Sequence, residues 1–252
     1  MADDPNPSST GSGASILAHL RQVQAERAAR AAEPDWAARV AALKAYQHAR
    51  FARTHADLLA DPRHAAAARF FLDDLYGPQD FAERDAQFAR IVPALVRLFP
   101  AEVVATVDSL AALHALSESL DSQMARSLSG PAVDAPSYRR AWQATGRRAD
   151  RQRQIELVVA LGRQLEHYTR NRWLGGSLRL MRGPARAAGL GSLQAFLERG
   201  FDTFAGLNRH PAGAAEFMRR IETRESLLMD ALFETGAGAD PATWPEPLGQ
   251  LP

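Results

Sequence analysis

Apolar residues along the middle of this chain recur three and four positions apart, and the apolar–polar alternation of a half-buried strand is absent. That period, punctuated by proline and glycine, predicts helices throughout. Ile16, Leu20 and Val23 mark a first helix over about residues 14–32, stopped before Pro34. Asp35 opens a second, whose inward stripe of Val40, Leu43, Tyr46, Phe51 and Leu58 runs to Ala60. Asp61 before Pro62 reads as an N-cap with proline at the first helical position, so a third helix is expected from there to Tyr76, where Gly77 and Pro78 end it.

Asp80 with Glu83 has the spacing of a capping box for a fourth helix that ends at Phe99. Pro100 opens a fifth, with Val103, Val107, Leu110, Leu113, Leu116 and Leu120 at core spacing as far as about Leu128. After an internal break at 129–136, further helices are expected over 137–146, 150–169, 175–181, 184–207 and 211–234. Glycines 162, 175, 176, 183, 189 and 191 are dense for helices, so backbones approach closely there or the helices kink. The expected fold is all-α: one large bundle of about nine or ten helices over 14–235, with a disordered polar tail at 1–13 and a Pro/Gly-rich tail at 236–252.

The chain of 252 residues is long enough to bury its own core, and 46% hydrophobic with 23% charged residues is an ordinary globular balance. It has no cysteine, which removes disulfides, Cys-ligated metals and thiol nucleophiles. The longest apolar stretches are broken by Arg97, Arg163 or Arg179, so no membrane span is expected. The acidic, Pro- and Ser-containing start does not resemble a secretory signal, and a cytoplasmic location follows as the expectation. Lys44 is the only lysine among 30 basic residues, and together with abundant alanine this arginine preference suggests a GC-rich bacterial genome.

The segment Phe70 to Phe81, FFLDDLYGPQDF, and the segment Met181 to Phe204 resemble signatures of an uncharacterised proteobacterial family of helical proteins, a domain of unknown function. The likeness covers most of residues 40–235. It implies a shared helical architecture and assigns no catalytic residue.

Several clusters are candidates for chemistry. His48, His55, Asp57, His64, Asp73 and Asp74 gather potential metal ligands, but the i, i+3 or i, i+4 spacing of helical metal motifs is missing. Asp73 and Asp74 are an acid–base candidate, although neighbouring helical residues point about 100° apart; the simpler expectation pairs one with an arginine and leaves the other in water. His114 and His167 are lone haem-ligand candidates, and Ser177 and Ser192 lack a nucleophile elbow.

Charge is segregated. Residues 54–125 hold eleven acids against five arginines, whereas 139–186 hold twelve arginines against three acids. Either the two sets neutralise each other at helix contacts, or some arginines remain available to an anion. Arg172, Arg179, Arg182 and Arg186 surround Gly183 and Pro184, where a helix start would offer free N–H groups to phosphate or carboxylate. Arg147, Arg148, Arg151 and Arg153 would extend that surface to nucleic acid, which a net charge of +1 disfavours. The function expected from sequence is a non-enzymatic interaction or regulatory module, completed by a homodimer or protein partner. The alternative is a small-anion or phosphate-ligand binding protein using the four arginines; a nucleic-acid binder or metal-dependent enzyme ranks below both. No cofactor and no membrane partner are expected.

Overall fold

The computed structural model describes residues 7–75, 77, 81–211, 213–234 and 248–252. In chain order the helices are α1 (Pro7–Ala31), α2 (Pro34–Thr54), α3 (Ala56–Ala60), α4 (Ala65–Phe70), α5 (Ala82–Leu98), α6 (Ala101–Arg126), α7 (Ala135–Thr145), α8 (Arg148–Thr169), α9 (Arg172–Leu180), α10 (Arg182–Ala187), α11 (Gly191–Leu207) and α12 (Gly213–Phe233). A π-helical turn, Phe71–Leu75, continues α4, and a 3-10 turn spans Leu248–Gln250. No strand occurs among the described residues, so the all-α bundle read from the periodicity is the fold.

Local chemistry moves several boundaries. α1 begins inside the stretch expected as a tail. The long second helix divides at His55, whose backbone (φ −116°, ψ 25°) leaves the helical region while its ring is fully buried. Asp61 does not cap a helix at Pro62: its carboxylate accepts from the Arg63 amide at 3.0 Å and from His64 Nδ1 at 2.9 Å, closing a turn before α4 starts at Ala65. The expected capping aspartate Asp80 lies outside the described residues.

The single helix expected over 184–207 is split at Gly189, whose φ of +69° suits glycine. Its N–H donates to the Arg186 carbonyl, and that of Leu190 donates to the Ala185 carbonyl, a Schellman ending for α10. Gly162 shows the other use of glycine. A Cβ there would lie 2.4 Å from Met218 Sδ, so its absence lets α12 pack closely on α8.

The C-terminal stretch, expected as a loose tail, docks at its end. Leu248 and Leu251 are buried, Tyr46 Oη donates to the Pro252 carbonyl at 3.2 Å, and Arg53 Nη1 donates to that of Leu251 at 3.0 Å. Trp244 lies outside the described residues.

α6 is the axis. By length and composition it is apolar enough to cross a membrane, which the sequence expectation overlooked; here α1, α2, α7 and α8 pack around it. The buried apolar side chains fall into three clusters, and α6 enters each: Val104 and Ala111 join Ile16, Leu20 and Val92; Leu113 joins Phe71, Phe204 and Phe217; Met124 and Ala125 join Leu43, Tyr138 and Leu232. Small domains usually have one contiguous core. Here Ile155 packs against two of the three clusters, and α6, which enters each, also carries a buried polar run.

Candidate functional site

Between Leu116 and Met124, α6 reads Ser-Glu-Ser-Leu-Asp-Ser-Gln, and Glu118, Ser119, Leu120, Asp121 and Ser122 are all buried. Five consecutive buried residues leave no wet face, so these polar groups need partners from the surrounding helices. Spacings of three supply them: Arg27 and Arg30 share one face of α1, and Lys44, Gln47 and Arg50 one face of α2. Asp85 comes from α5, Arg151 from α8 and Glu225 from α12.

The bonds fall into three groups, around Glu118 with Asp85, around Asp121, and around Glu225. Glu118 Oε2 accepts from Arg30 Nη2 at 2.6 Å, and Oε1 accepts from Lys44 Nζ at 2.7 Å with Arg27 Nη2 3.5 Å away. Arg30 Nη1 donates to Ser122 Oγ at 2.9 Å. Arg27 also reaches Asp85 Oδ2 at 2.9 Å, and His114 Nε2 lies 2.7 Å from the same oxygen. Gln47 Nε2 donates to Asp121 Oδ1 at 3.1 Å. On α12, Glu225 Oε1 is 2.5 Å from Arg50 Nη1 and 2.9 Å from His55 Nε2, at the end of α2.

Burial alone would push each of these carboxyls up, and cations decide the outcome. At Glu118 burial is outweighed by Lys44 and Arg30, which bring its pKa down to about 2. At Glu225 burial is likewise overcome by Arg50 and His55, again to about 2. Asp121 goes the other way: burial dominates over Lys44, Arg151 and the Gln47 bond, and its pKa is raised. Three acids in one layer thus differ in sign of shift, a pattern common at functional sites.

The network borders a partly open cavity of about 190 Å³, room for roughly six water molecules. Lys44, Gln47 and Asp121 form part of one wall, and Phe88, Leu110 and Leu113 are among its apolar lining. Arg84, held over the rings of Phe81 (3.9 Å) and Phe196 (4.5 Å), and Trp142, stacked under Arg151 at 4.1 Å, border it as well. The Trp142 Nε1 atom is buried without a hydrogen-bond partner. Such a mixed lining can seat an apolar body and orient a polar head.

None of these residues was singled out together in the sequence reading. Two signals were present: the polar run inside an otherwise inward-facing α6, and the lone lysine, which lies against Glu118. The partners, however, come from α1, α2, α5, α8 and α12.

The four expected anion-binding arginines lie elsewhere, on α9 and α10. Arg179 Nη2 donates to Asp202 Oδ1 at 2.6 Å, and Arg182 bonds both oxygens of Glu198, the shortest contact being 2.6 Å. Arg186 is exposed, and the Arg172 side chain lies outside the described set. α10 is only six residues long and starts at Arg182 instead of Pro184.

The His/Asp cluster is dispersed into pairs: His48 with Asp73 at 3.5 Å, His64 with Asp61, His55 with Glu225, and Asp57 with Arg220 and Arg224. Among the described residues no group of three or more His, Asp or Glu is arranged to hold a metal. Asp74 is clasped by Arg199, while Asp73 is more than half exposed. His114 is engaged by Asp85, and the His167 ring packs beside Tyr168.

The acidic and basic stretches meet at Arg151, whose charge acts on Asp121, while other arginines of 139–186 pair elsewhere. Arg147 pairs with Asp150, Arg148 with Asp230 and Arg153 with Glu156, while Arg151 is buried beside Trp142. The acids instead draw on α1, α2, α11 and α12.

A family model described as a domain of unknown function, DUF8198, matches residues 26–239. No curated protein and no solved structure matches the chain.

Proposed function

For this chain, which belongs to the DUF8198 family of domains of unknown function, we propose a non-enzymatic ligand-binding module that holds a small amphipathic molecule inside the bundle. The observation that carries the reading is the cavity of about 190 Å³ set against the charged layer. Buried ion networks are seldom favoured over apolar packing for stability alone, and here the buried charges gather on and around a helix, α6, that reaches all three apolar clusters. The ligand's apolar body would lie against Phe88, Leu110 and Leu113. Its polar head would donate to Asp121, the one carboxyl of the layer left with a raised pKa, and accept from Lys44 or Gln47. This moves the ligand site from the exposed arginines of α9 and α10, two of which α11 engages, to the cavity.

Thermal shift against a panel of short-chain alcohols, amines and carboxylates tests it. A ligand at 100 times its Kd stabilises by about 2.7 kcal/mol. Ala111 borders the cavity and is buried, so Ala111→Leu should occupy the space, keep the helical spectrum and abolish the shift. A panel without any shift, or one in which Ala111→Leu responds as the native chain does, defeats the proposal.

A further inference from the structure

Four of the eight large apolar side chains that are exposed in the described chain fall within 173–181: Trp173 (86%), Leu180 (80%), Met181 (53%) and Leu174 (38%). Asn171 caps the helix through the Trp173 amide at 3.0 Å, and Gly175 is the point of closest approach to the body, against the Phe201 ring. Trp173 and Leu180 are seven residues apart and therefore share the outward face. Apolar area concentrated in this way marks an interaction site.

Its surroundings are basic. Residues 167–197 contain five arginines and no acid. Glu198 and Asp202 of α11 tie back Arg182 and Arg179, yet those guanidiniums remain about half exposed, and Arg186 is exposed too. The face is a helix standing proud of the body with Trp173 at its most exposed point, where a peptide ligand would want a groove.

We propose that α9 docks this protein on an anionic lipid surface, with Trp173, Leu180 and Met181 entering the headgroup region and Arg179, Arg182 and Arg186 facing acidic headgroups. Tryptophan favours the bilayer interface, and arginines beside an amphipathic face add attraction to anionic lipid. A second copy of the chain would bring like charges together around the same stripe, which disfavours self-association there. The inference departs from the sequence expectation of no membrane partner. It goes beyond the cavity reading and does not depend on it.

The test is sedimentation of the full chain with vesicles of phosphatidylcholine alone or mixed with phosphatidylglycerol. Binding is expected only to the anionic vesicles, weakening as salt rises. The double variant Trp173→Ser with Leu180→Ser should keep its melting temperature and bind at least about tenfold more weakly. Brominated lipid in the anionic vesicles should quench native tryptophan emission more than that of Trp173→Phe, a readout independent of the double variant. Absence of binding at low salt, equal binding to neutral vesicles, or undiminished binding by the double variant overturns the proposal. So does a dimer that the double variant abolishes, because the face would then belong to a second copy.

Discussion

Replacing Glu118 by glutamine removes the negative charge at the centre of the layer while keeping its shape. The carboxylate is 4% exposed and receives Arg30, Lys44 and, more distantly, Arg27. Its pKa of about 2 against an ordinary 4.5 corresponds to about 3 kcal/mol favouring the charged form in the fold. Glu118→Gln should therefore cost about 3 kcal/mol at pH 7, the range found when one member of a buried ion pair is lost. For a chain of this size that is a drop of about 6–12 °C in Tm. Because the folded pKa lies below the unfolded one, the stabilisation is complete above pH 4.5 and disappears as pH falls towards 2. The gap between native and variant should close over the same window. Calorimetry of both proteins from neutral to acid pH measures it. Adding Lys44→Met to the variant should recover about 1 kcal/mol, since one uncompensated cation is removed. A single variant within about 0.5 kcal/mol of the native chain at pH 7, or a cost that does not change with pH, would refute the account.

Asp121→Asn should have the opposite sign. With its folded pKa raised, the native carboxylate costs stability at neutral pH, so the amide should raise Tm at pH 7 and lose that advantage as pH falls to about 3.8; a lowered Tm at pH 7 contradicts this. Gly189→Ala should destabilise by about 1 kcal/mol because φ is +69°, measurable by urea unfolding. Arg182→Gln, which breaks an exposed pair with Glu198, should leave Tm unchanged; a clear loss would give that pair a larger structural role than its exposure allows.

The helices were legible because each announces itself locally. The stripe of α2 and the Pro100 start of α6 need no knowledge of the rest of the chain. The division at His55 was not legible, since no proline or glycine marks it and the buried ring's partner, Glu225 on α12, lies 170 residues away. The split at Gly189 was half visible: glycine density suggested a kink, and only the positive φ says which glycine makes it. The arginines of α9 and α10 were visible as a cluster, but their pairing depends on α11 folding back. The buried layer was the least legible. Glu118 and Asp121 differ from solvated helix acids only in what surrounds them, and that is decided by the packing of five other helices. Charge counted along the chain suggested two complementary halves, whereas helices from outside both halves supply most of the compensation.

The buried charges around α6 bear on how this molecule opens. Where apolar clusters meet directly, separating them exposes hydrocarbon; across the Glu118–Asp121 layer, separation instead lets water reach ions that gain from hydration. The layer is therefore the plane of least resistance, and native-state fluctuations should part the bundle into blocks there before any block melts. Amide exchange would report this as high protection within each cluster and a shared, lower opening energy for the α2 and α6 amides that border the layer.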